Sequence, residues 1–128
     1  MGKSITVRGK EYPLEMTVQA FCDIADLCPG KSIERIDEIS KLPISQSMVI
    51  MARIAECMSR GAEESRRFDE PGYEPHPLAA EEILTLPVAE YKNIAGEITQ
   101  AMKSGFTGQT VEVKPEKKTT KKAAAPSN

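Results

Sequence analysis

PISQSMVIMARIAECMSR, residues 43–60, is the stretch around which the rest of the chain has to pack. Large apolar side chains recur at Ile44, Met48, Met51, Ile54 and Met58, with Ala55 beside the last two. Gaps of three and four residues put them on one face of an α-helix. Val49, Ile50 and Cys57 widen that stripe beyond the seam of a two-stranded coiled coil. The expectation is a helix lying across a small domain and covered by neighbours on most sides. Gly61 either stops it or is carried inside it at a cost of about 1 kcal/mol. Glu56/Arg60 and Glu63/Arg67, each four apart in the favourable order, predict that helix continues to about Phe68.

Upstream, Ser4 to Met16 alternates with period two, Ile5 and Val7 facing one way and Thr6 and Arg8 the other. Arg8-Gly9-Lys10 reads as a turn, with Tyr12, Leu14 and Met16 resuming the alternation, so a β-hairpin is expected. Pro13 removes a ladder donor and must face outward. Thr17 suits the N-cap of a helix over Val18–Leu27, with Phe21, Ile24, Ala25 and Leu27/Cys28 inward and Pro29-Gly30 ending it. Ser32 is expected to cap a short helix with Ile33, Ile36 and Ile39 buried.

Downstream, residues 69–78 carry three prolines and a glycine and read as an extended connector. A short helix is expected over Ala79–Leu86. A last one follows Pro87, striped by Val88, Tyr91, Ile94, Ile98 and Met102 and capped by Gly105. Gly96 inside it fits either a close backbone approach or plain exposure. From Thr107 on there is no period, and Lys, Thr, Ala and Pro dominate; this reads as a disordered tail. The fold class is therefore mainly α: about five helices with an N-terminal β-hairpin in a domain over residues 1–105, followed by a Lys-rich tail over 106–128.

Composition narrows the function. Hydrophobic residues make up 40% and aromatics 5% with no Trp, so the core must be aliphatic and methionine-rich. Residues 1–105 carry 12 Lys and Arg against 17 Asp and Glu, whereas 106–128 carry five Lys against two Glu. An acidic body is unlike a duplex-DNA binder. Cys22, Cys28 and Cys57 lack Cys-x-x-Cys spacing, and His76 is the one histidine, so neither a metal site nor any other cofactor is indicated. Reduced thiols and the lack of a long apolar run lead to the expectation of a soluble cytoplasmic protein without membrane contact.

No reaction centre is legible. His76 stands between two prolines with no nucleophile beside it, and the adjacent carboxylates Glu63–Glu64 and Glu81–Glu82 diverge on their helices as solvated faces. The sequence reads as a non-enzyme. The apolar surplus of the central helix (Val49, Ile50, Cys57) and the last helix (Val88, Tyr91, Ile98, Met102) are the candidate partner contacts. Lys117, Lys118, Lys121 and Lys122 could reach an acidic partner or phosphates. That leaves a nucleic-acid-associated or regulatory protein as the alternative.

The opening GKEYPLEMTVQAFCDIADLCPG resembles the start of tail-assembly chaperones of long-tailed bacteriophages: a hairpin with Gly9, Lys10 and Tyr12, then a Thr-capped helix closed by glycine. LTLPVAEYKNIAGEITQAM is similar to their C-terminal helix. The resemblance implies a chaperone that binds the tape-measure protein, keeping it soluble until tail-tube subunits polymerise around it. It further implies tape-measure and tail-tube proteins as partners, residence in the bacterial host cytoplasm and absence from the finished virion. A homo-oligomer is compatible with it, and no specific nucleic acid is implied.

Overall fold

A computed structural model describes the backbone of residues 3–110 and the side chains of residues 3–106. Strands β1 (Lys3–Val7) and β2 (Lys10–Leu14) form an antiparallel hairpin in which Ile5 faces Tyr12 and Val7 faces Lys10. Arg8 (φ 54°) and Gly9 (φ 81°) both adopt left-handed backbone, as a two-residue turn matched to strand twist requires. Ile5, Val7, Tyr12 and Leu14 are buried, so the hairpin has one apolar face; Pro13 is exposed. A lone hairpin is marginal in water. Here β2 rests on the central helix and β1 on the last one.

Helix α1 (Val18–Leu27) starts where Thr17 Oγ1 accepts from the Ala20 amide at 3.1 Å, and it buries Ala20, Ile24 and, just past its end, Cys28. Residues Ile33–Lys41 form the expected short helix as 3-10 turns, but Ser32 does not cap it through its side chain as expected. The spacing explains the 3-10 turns. Ile36 and Ile39 are three apart and line up on a helix of three residues per turn, as do Arg35 and Glu38, paired at 2.8 Å; the backbone kinks at Arg35, and only Ile39 is buried, with Ile33 and Ile36 partly so. Pro43 then disfavours helical backbone at Leu42 and closes the segment.

Helix α2 (Ile44–Asp69) is one unbroken rod of 26 residues, about 39 Å long at 1.5 Å per residue. Its middle is the core: Ala52, Ile54 and Ala55 are fully buried and Met58 nearly so. Each buried Ile or Met contributes roughly 1.5–3 kcal/mol. Hairpin, α1, the 3-10 segment and the later helices all pack on this rod. Its ends are less covered than the stripe predicted, and Ile44, expected inward, is 75% exposed.

Gly61 neither stops nor bends the helix out of register; it admits the chain between β2 and α1. A Cβ there would lie 2.8 Å from the Glu15 carbonyl oxygen and 2.9 Å from Thr17 Oγ1. Beside it the Glu15 amide donates to the Met58 carbonyl at 3.0 Å.

The connector carries no regular element and leads to α3 (Ala80–Leu84), shorter than the expected helix over 79–86. Arg8 ties the hairpin turn to the end of α3, donating to the Thr85 carbonyl at 2.9 Å and its hydroxyl at 2.6 Å. Helix α4 (Val88–Thr110) buries Ile94, Ile98, Ala101 and Met102. It does not end at Gly105. There a Cβ would fall 2.5 Å from Met16 Cβ, so the glycine serves close packing and is no C-cap. Phe106 meets Phe21 edge-on at 5.8 Å, carrying the folded body past residue 105. The tail expected over 106–128 lies, from residue 111, outside the described residues, as do Lys117, Lys118, Lys121 and Lys122. No helix among the described residues is long and apolar enough to cross a membrane.

Two glycines test this packing in opposite directions. Gly61→Ala is expected to lower unfolding stability by about 1–3 kcal/mol through overpacking. Gly96, with nothing within 4 Å of an added Cβ, should gain roughly 0.5–1 kcal/mol as alanine. Urea unfolding midpoints check both; a Gly61→Ala chain as stable as the parent contradicts the close approach.

Candidate functional site

The residue types that sequence reading set aside as solvated turn out to hold the connector. Ser59 and Glu63 stand one turn apart on α2 and are both buried. Ser59 Oγ accepts from the Leu78 amide at 2.8 Å. Glu63 Oε1 accepts from the His76 amide at 2.9 Å and from the Tyr73 hydroxyl. The Arg66 guanidinium lies over the Tyr73 ring, 4.1 Å from its centre. An irregular segment cannot satisfy its own backbone, so these two side chains fasten it and allow Leu78 to bury.

Burial alone would push the Glu63 carboxyl up. The His76 amide, the Tyr73 hydroxyl and nearby Arg66 outweigh it and hold the group below its ordinary value. Glu82 plays a similar part on α3, accepting from the Tyr12 hydroxyl at 2.8 Å and the Ala79 amide at 3.2 Å. Burial first, then that bond to Glu82, pushes the Tyr12 phenol up to about 12. Glu63 and Glu82 are thus structural acceptors, not solvated faces, while Glu64 pairs with Arg67 at 2.8 Å on the surface. His76 is exposed and meets Glu63 only through its backbone. No group of three or more His, Cys, Asp or Glu side chains that could hold a metal ion occurs among the described residues.

Two largely apolar grooves open on the surface. One groove of about 400 Å³ runs between the start of α1 and the C-terminal half of α2. Ala20, Cys57 and Gly61 form its floor, with Val18 and Phe68 at its sides; those two are 78% and 76% exposed. A second groove of about 480 Å³ lies between the 3-10 segment, the start of α2 and α4. Ile44 and Tyr91 stand beside it, over Met51 and Met102.

The sequence-predicted contacts divide accordingly. Val49 and Val88 are exposed, whereas Ile50 is partly buried against the core. Tyr91 and Met102 line the second groove and Cys57 the first. The Cys57 thiol is pushed up to about 11, by burial first and then by Asp23. Ile98 is completely buried among core residues and is not a surface contact. Val18, Phe68 and Ile44 were missed as contacts. The signal for two of them was present: Ile44 opens the α2 stripe and Phe68 extends its Ile50–Cys57 side, both past the length a small body can cover. Comparison with protein-family models, with curated proteins and with solved structures finds no match to the chain.

The Glu63 contacts carry a pH signature. A carboxyl held below its unfolded value of 4.5 stabilises the fold fully above that value, and the contribution disappears as pH falls through the lower folded value. Glu63→Gln should therefore flatten the stability–pH slope below that value, as well as lowering stability near neutrality. Thermal unfolding of both chains across that range checks it; parallel slopes contradict the assignment.

Proposed function

We propose that this protein is a non-catalytic binding protein that shelters an apolar helical segment of another polypeptide, as a tail-assembly chaperone does for a phage tape-measure protein. The observation that carries this reading is the pair of open apolar grooves at the two ends of α2, flanked by large side chains that are three-quarters exposed. Grooves between helices accept an amphipathic helix by burying its apolar face. Exposed hydrophobic side chains beside such grooves are features of interaction surfaces. The resemblance of residues 9–30 and 84–102 to the chaperone family supplies the identity of the partner. On this reading the protein acts in the bacterial host cytoplasm, yields the tape measure to tail-tube subunits and stays out of the virion. The nucleic-acid alternative rests on Lys117, Lys118, Lys121 and Lys122, outside the described residues.

Co-expression with a tape-measure protein of a long-tailed phage tests the reading. The tape measure should move from the pellet to the supernatant and co-purify with this chain. The double substitution Ile44→Asp with Phe68→Asp should cut recovery about tenfold, since truncating central interface anchors costs on the order of 2 kcal/mol or more. A tape measure that stays insoluble, or is recovered equally with the double variant, overturns the proposal.

A further inference from the structure

The two grooves are not equivalent, and their difference points to the chemistry of the segment held. The groove between α1 and α2 is lined by three carboxylates, Asp23, Glu64 and Asp69, against one guanidinium, Arg60. Arg60 is already engaged with Asp23 at 3.5 Å and with Glu56 at 3.8 Å, and Glu64 is paired with Arg67 at 2.8 Å. Asp69 makes no ion pair among the described residues. It sits at the C-terminal end of α2, where the helix dipole adds negative potential. The second groove has the opposite balance, with Lys92 and Lys103 against Asp37.

The floor of the first groove is made of small side chains, Ala20, Cys57 and Gly61, between the tall, exposed Val18 and Phe68. Small residues below and large ones beside leave room for bulky side chains entering from above. From Cys57 to Asp69 the groove follows α2 for about 18 Å, the length of roughly three helical turns.

We infer that the α1–α2 groove binds an amphipathic helix of about three turns whose apolar stripe is flanked by Lys or Arg. This deepens the chaperone reading and rests on it, naming the kind of tape-measure segment that is held and the place that holds it. The apolar stripe supplies the buried area between Val18 and Phe68. The flanking cations meet Asp69 at the rim, where they set orientation and partner choice more than gross affinity. A helix with acidic flanks meets like charge along the same rim and is disfavoured.

Two fluorescent helical peptides with one shared apolar stripe, flanked by Lys in one and Glu in the other, test this against the full chain by anisotropy. The Lys-flanked peptide should bind about tenfold more tightly at low salt, with the gap narrowing as ionic strength rises. Phe68→Ser and Val18→Ser, both at exposed positions, should each weaken it several-fold, and Asp69→Asn should shrink the Lys-over-Glu preference. Ile44→Ser, in the other groove, should leave it unchanged.

Binding of neither peptide, equal binding of both, or sensitivity to Ile44→Ser in place of Phe68→Ser overturns the assignment. So does displacement of the probe by a free peptide of residues 111–128 at lower concentration than the probe itself needs, which would give the groove to the chain's own basic segment. A dimer in sedimentation that Phe68→Ser dissolves would give it to a second copy and equally overturn the assignment. Peptide failure with successful tape-measure co-expression refutes the groove chemistry alone; failure of the co-expression refutes the chaperone reading.

Discussion

The amide of Glu15 donates to the carbonyl of Met58, halfway along a helix whose own ladder already uses that carbonyl. Such a bond forms only if another backbone lies directly on the helix, and Gly61, one turn on, is what permits it. From that contact the rest follows. The hairpin is held with Ile5, Val7, Tyr12 and Leu14 inward. Thr17 is placed to cap α1 beside the same glycine. On an adjoining face of α2, Ser59 and Glu63 fasten the connector that brings α3 and α4 back.

Length supplies the second constraint. A helix of 20 residues already spans the roughly 30 Å diameter of a small domain. Helix α2 has 26, so its stripe outruns the body at both ends. Ile44 and Phe68 are the overhang, and the two grooves lie beside them. The interior is consequently strong where the hairpin and α1 cross the rod and incomplete where the rod protrudes. The proposed hold-and-release function would draw on that arrangement, because apolar area is offered without unfolding anything.

Much of this was legible in the residues. Period-two alternation around Arg8-Gly9 gave the hairpin and its inward face, Thr17 the cap of α1, and the spacing from Met48 to Met58 the central rod. The 3-10 geometry of Ile33–Lys41 was written in the strict three-residue spacing of its isoleucines, but helix propensity does not distinguish that from a short α-helix. Glycines misled at Gly105 for a physical reason: a cap and a close approach both call for a missing Cβ, and only the position of Met16 separates them. Glu63 was opaque because adjacent acidic residues on a helix normally face water. That one of them turns inward depends on donors ten and thirteen residues away, in a segment without periodicity.

Amide hydrogen exchange at Glu15 and Leu78 tests the central claim most directly. Both lie outside regular elements, yet each donates to α2, to the Met58 carbonyl and the Ser59 hydroxyl. The account predicts that their amides exchange within about an order of magnitude of those in the Ile54–Ser59 interior, opening only with the rod itself. Exchange at the rates of exposed loop amides while Ile54–Ser59 stays protected would contradict it.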